Sequence, residues 1–184
     1  MTRTVESRSV HPIVADPSHA RAIRAVADLL ARLRLDFIFA GSVARAAHLG
    51  DRVTSGSIDV IVTMGPQQKN QVAMMANNNG FRLDRDEVEA AEELDVIPMA
   101  FDDVRVHILV ASNALYGRMV AEGVTAELGE TSLKVPRVED FALLLQLNSD
   151  VESLMSVIES PEFDRTRYNA KLTAIGLGGF AVPE

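Results

Sequence analysis

The chain has 184 residues, of which 47% are apolar and 24% charged, the ordinary composition of one well-filled globular domain. A net charge of −8 argues against general nucleic-acid binding, which needs a basic face. With no cysteine, disulfides, thiolate catalysis and cysteine-bound zinc are excluded.

Residues 1–15 are polar, contain Pro12 and show no periodicity, so a flexible N-terminal arm is expected. They carry no apolar run of signal-peptide type, and no later stretch is long enough to span a bilayer. A cytoplasmic protein without membrane contact is the expectation. The first strong element is DPSHARAIRAVADLLARLRL, where Ala20, Ile23, Val26, Ala27, Leu30 and Leu33 recur at helical spacing. Asp16 or Ser18 can cap it, with Pro17 in the first turn.

DFIFA then reads as a short strand ended by Gly41, SVARAAHL as a short helix stopped by Gly50, and SIDVIVTM as a buried strand. Pro66 and Gly80 bracket the next helix, and FRL begins another strand. The acid-rich DRDEVEAAEELD, Asp84 to Asp95, reads as a solvated face or loop, or as a surface for a protein partner. VIPMAF and VRVHILVA are two strands joined at Asp102-Asp103. NALYGRMVAEG is helical, and VTAELGETSLKV is a hairpin turning at Gly129.

After Pro136 the pattern is helical to the end, through RVEDFALLLQLNSDVESLMSVIES and PEFDRTRYNAKLTAIGLG. Alternating strands and helices followed by helices alone predict an α/β (α+β) core over 16–136, with a C-terminal helical segment, 137–184, packed on it.

Gly41-Ser42 stands directly between a strand and a helix. Such a turn aims backbone N–H groups and the positive end of the helix dipole at whatever lies in front. Glycine lets a phosphate approach the main chain, and the Ser42 hydroxyl adds a donor.

The order of strand, Gly41-Ser42, short helix, Gly50-x-Arg52-x-Thr54 and an apolar strand bearing Asp59 resembles the nucleotidyltransferase superfamily. The likeness is greatest to its small prokaryotic abortive-infection and antitoxin-linked branch. In that branch the pattern is G-x-x-R-x-T-x-D-I-D-L-x-V, and here it is GDRVTSGSIDVIV. GFRL, VRVHILVA and VPRVEDFALLLQL extend the resemblance through the later elements.

The resemblance implies a mixed β-sheet flanked by helices. It also implies a site that moves NMP from a nucleotide triphosphate to a protein, RNA or small-molecule hydroxyl. Such enzymes carry two carboxylates at i and i+2 of one strand, on the same face because side chains alternate, and a third on a neighbouring strand. Together they hold Mg²⁺ ions that orient the triphosphate and activate the attacking hydroxyl.

Matched residue by residue, Ser57 stands where the first acid belongs, Asp59 at the second position and His107 at the third. Gly41, Ser42, Arg52 and Thr54 are the corresponding nucleotide- and phosphate-binding candidates. Serine is a poor replacement for a charged ligand, and imidazole favours transition ions, so Asp59 and His107 would hold Mg²⁺ or Mn²⁺ weakly at best. The lysine that often follows the family's Glu-Asp pair is also missing, with Leu145 or Gln146 in its place. The expectation is a nucleotide- or partner-binding member of weak or lost catalysis. The alternative is an active nucleotidyltransferase.

Overall fold

The computed structural model describes residues 10–83 and 95–183. The expected acidic loop therefore lies almost wholly outside the described residues. Residues 10–15, expected in a loose arm, are instead held against the body. Ile13 is buried, the His11 N–H donates to the Ala47 carbonyl at 2.8 Å, and Val14–Ala15 forms strand β1. That strand pairs in parallel with β3 (Arg52–Val53), which supplies the hydrogen bonds a free arm would take from water.

Helix α1 (Pro17–Arg32) starts where expected. Asp16 caps it by accepting the His19 N–H at 2.8 Å, and Ala22, Ile23, Val26, Leu29 and Leu30 form its buried stripe. Next come β2 (Asp36–Phe39), α2 (Gly41–Leu49), β4 (Ile58–Thr63), α3 (Pro66–Asn78), β5 (Phe81–Arg82), β6 (Val96–Phe101) and β7 (Val104–Val110). Gly50 closes α2 in the left-handed region at φ +74°. Helix α4 (Ala114–Glu122) leads to the hairpin β8 (Val124–Leu128) and β9 (Thr131–Val135).

The main sheet has the order β2-β4-β7-β6-β5, with β4 and β7 parallel and the other pairs antiparallel. Period-two alternation divides its two faces. Ile58, Val60 and Val62 of β4, with Val104, Val106 and Ile108 of β7, are buried in the layer that includes α1 and α3. Ile38 and Ile61 turn the other way, toward Met119, Phe141 and the C-terminal helices. Asp59 and His107 share that second face.

The helical tail is three helices rather than two long runs: α5 (Val138–Leu147), α6 (Val151–Ile158) and α7 (Arg165–Ala174). The break falls at Asn148–Asp150, where Ser149 has φ 57° and Asp150 caps α6 by accepting the Ser153 N–H at 3.2 Å. These short polar side chains bond the local backbone and so favour caps and turns over helix interiors. Asp140 is buried at the start of α5 and accepts from Lys171 Nζ of α7 at 2.6 Å, joining the two helices. Burial pushes its carboxyl pKa up, and Lys171 offsets part of that shift. No helix among the described residues is long and apolar enough to cross a membrane.

Candidate functional site

Strand β2 delivers the chain to the site. The Ala40 N–H donates to the Asp59 carbonyl at 2.8 Å, and Gly41 then turns into α2 with φ +50°. A Cβ at Gly41 would lie 2.5 Å from Asp59 Oδ2, so only glycine fits. Ser42 Oγ donates to the Ser57 carbonyl at 3.1 Å, tying the start of α2 to the approach of β4.

On β4 and β7, Asp59 and His107 are direct partners in the parallel register. Asp59 Oδ1 accepts from Ser57 Oγ at 2.8 Å and lies 3.0 Å from His107 Nδ1. The Ser57 contact follows from the i, i+2 spacing, which puts both side chains on one face. Facing a carboxylate oxygen, Nδ1 is the donor of this pair, which leaves Nε2 for other partners.

Gly41, Asp59 and His107 border a cleft of about 700 Å³ between the sheet and the C-terminal helices, a size suited to a small organic ligand. Its apolar side includes Ile61, Leu109, Tyr116, Phe141, Leu144 and Leu145, and its polar groups include Arg45, Arg105, Asn148 and Asp150. Arg45 of α2 bonds Asp51 and Ser153 and lies 3.6 Å from Asp150, so its charge is shared between two carboxylates. Ser153 also bonds Asp150, and together these contacts hold that carboxyl below its ordinary range.

The structure thus brings together Gly41, Ser42, Ser57, Asp59 and His107. Of these, Gly41, Asp59 and His107 line the cleft and Ser42 and Ser57 are bonded beside it; Arg52 and Thr54 are not part of the lining. Both are exposed, and Arg52 is drawn onto the Val14 register by the β1–β3 pairing. His48 of α2 does not line the cleft. Its Nε2 is 2.8 Å from the Pro136 carbonyl and its ring stacks on Phe141. Burial lowers its pKa below 6.5.

Arg105, Tyr116, Asn148 and Asp150 escaped the sequence reading. Arg105 was findable, because it stands two residues before His107 in a strand and must share its face. Asn148 and Asp150 had no such signal. They reach the cleft through the packing of α5 and α6. Among the described residues, no three His, Asp or Glu side chains are grouped to hold a metal ion.

No protein-family profile matches the chain, and no curated protein does. Solved structures do. The solution structure of the antibiotic-resistance factor ANT(2'')-Ia is similar at TM-score 0.55 and 15% identity, over 90% of this chain and 92% of that one. An antigenic nucleotidyltransferase-like protein from Paracoccidioides brasiliensis is similar at TM-score 0.51 and 13% identity, over 92% and 91%. A crystal structure of ANT(2'')-Ia in complex with adenylyl-2''-tobramycin, at TM-score 0.49 and 16% identity, covers 88% and 96%. At these identities the likeness speaks for architecture alone: the chain has the fold of the nucleotidyltransferases.

Proposed function

We propose that this protein binds a nucleotide in the cleft beside Gly41 and Asp59 and has lost most or all of the two-metal transfer chemistry associated with its fold. The supporting observation is the use already made of Asp59, whose Oδ1 takes both the Ser57 hydroxyl and the His107 imidazole. One carboxylate, one hydroxyl and one imidazole do not fit a pair of Mg²⁺ ions, which want an octahedron of oxygen ligands and several negative charges. No reaction step through Mg²⁺ or Mn²⁺ is therefore assigned. In this reading Gly41 and Ser42 form the phosphate-facing turn, while Arg52 and Thr54 lie outside it.

The Gly50 to Val62 block favours the small prokaryotic abortive-infection and antitoxin-linked branch, and the acidic segment from Asp84 to Asp95 favours a protein partner. The fold core is assigned to 16–136 and the helical segment to 137–184, and the cleft draws residues from both.

Calorimetric titration with ATP, GTP, CTP and UTP, with and without Mg²⁺ or Mn²⁺, tests the reading. No pyrophosphate release, and no strengthening of nucleotide binding by Mg²⁺ or Mn²⁺, is the expected outcome. Rapid labelling of an acceptor from a radioactive triphosphate, abolished by Asp59→Asn, would overturn it in favour of an active nucleotidyltransferase.

A further inference from the structure

If paired cations do not hold a phosphate in this cleft, another charge must. Strand β7 supplies one. Arg105 and His107 stand at i and i+2, on the same face, with Cα atoms about 7 Å apart. Both line the cleft. The other cleft charges are committed: Arg45 to Asp51 and Asp150, Asp59 to Ser57 and His107, and Asp150 to Ser153 and Arg45. Arg105 is exposed and has no carboxylate partner among the described residues.

Its cross-strand position is telling. Ile58 registers with Val106, so the next step back along both strands sets Arg105 opposite Ser57. Where the resemblance leads one to expect an acid, Ser57 carries no charge to oppose a guanidinium on the neighbouring strand. A guanidinium presents a planar fork of donors that matches phosphate oxygens. On His107, Nδ1 belongs to Asp59, and Nε2 is left to hydrogen-bond a ligand hydroxyl. The apolar part of the lining, which includes Ile61, Leu109, Tyr116 and Phe141, is able to cover a flat ring.

We infer that the cleft takes a nucleoside monophosphate directly, with its phosphate on Arg105, a ribose hydroxyl on His107 Nε2, and its base against the apolar wall. This rests on the nucleotide reading above and deepens it. One guanidinium suits a single phosphate. A triphosphate without divalent cations would bring about four negative charges near Asp59 and Asp150, and the cleft has no further free cation among the described residues to balance them.

Calorimetry on the full chain separates the possibilities, using AMP, GMP, CMP, UMP, the four nucleosides and the four triphosphates, each in EDTA and in Mg²⁺. A monophosphate should bind at least about tenfold tighter than its nucleoside, and equally well in EDTA and Mg²⁺. Arg105→Gln should erase that advantage while leaving nucleoside affinity unchanged, which also certifies that the variant is folded. A phosphate advantage that survives in Arg105→Gln overturns the assignment of Arg105. A preference for triphosphate that needs Mg²⁺ overturns the metal-free monophosphate site and leaves nucleotide binding standing. Absence of binding by every compound overturns both this inference and the nucleotide reading.

Discussion

Gly41 and Asp59 are fitted to one another: the hydrogen of the glycine stands where a methyl group would come 2.5 Å from the carboxylate Oδ2. At φ +50° an L side chain at Gly41 also carries backbone strain of about 1–2 kcal/mol. Gly41→Ala should therefore lower stability by about 2 kcal/mol or more and displace Asp59. Because part of the loss is the collision, the same substitution should cost at least about 0.5 kcal/mol less in an Asp59→Ala background. Urea denaturation of the four proteins measures that coupling, and strict additivity would refute the contact.

Restoring acids to the sheet tests the condition of the cleft. Ser57→Asp combined with His107→Asp places three carboxylates around the Asp59 position on adjoining strands. The double variant should bind Mn²⁺ at least about tenfold more tightly than the wild type, and EDTA should reverse the gain. Neither single substitution should match it. If the double variant stays folded and gains nothing, the cleft differs from a metal site in more than its acids.

The Asp140–Lys171 pair governs how the tail packs. Lys171→Met strands a carboxylate that is 1% exposed, at a cost of about 3 kcal/mol near neutral pH. Adding Asp140→Asn should recover most of that loss. The pH dependence has a definite sign. Burial raises the folded-state pKa of Asp140 above its ordinary 3.8, so the ionised form is the costly one, and that cost disappears as the carboxyl is protonated. The deficit of Lys171→Met should accordingly shrink as the pH falls, which denaturation midpoints across the acid range would record.

His48 gives the opposite dependence. Its folded-state pKa lies below 6.5, so the unfolded chain takes up the proton first and stability is lost as the pH falls through that value. His48→Leu removes the titrating group. It should be the less stable protein near pH 8, where the Pro136 carbonyl loses its donor, and should show a flatter decline toward about pH 5. Equal slopes for variant and wild type would mean that His48 is not the responsible group.

Most of the architecture was legible in the amino-acid order, because local rules govern it. Alternating apolar residues made SIDVIVTM and VRVHILVA strands, the stripe of α1 matched a helical period, and Gly50 and Gly129 stopped their elements. The Ser57–Asp59 contact was legible too, since i, i+2 spacing places the two side chains on one face whatever their surroundings. The polar run at Asn148–Asp150 was a local signal that the helical periodicity on either side concealed.

Other features depend on residues far apart in sequence. The resemblance placed His107 with Asp59, but nothing near Asp59 sets the register that makes the two, 48 positions apart, direct hydrogen-bonded partners. Nothing near Arg52 announces that β1 will claim it, or near Asp150 that α6 will bring it to the cleft. Residue type and spacing determined the elements and the short-range pairs, because backbone periodicity and steric limits act over a few residues. Strand register and helix packing decided which of those side chains share one cavity, because such contacts form only when the whole sheet has closed around its two apolar layers.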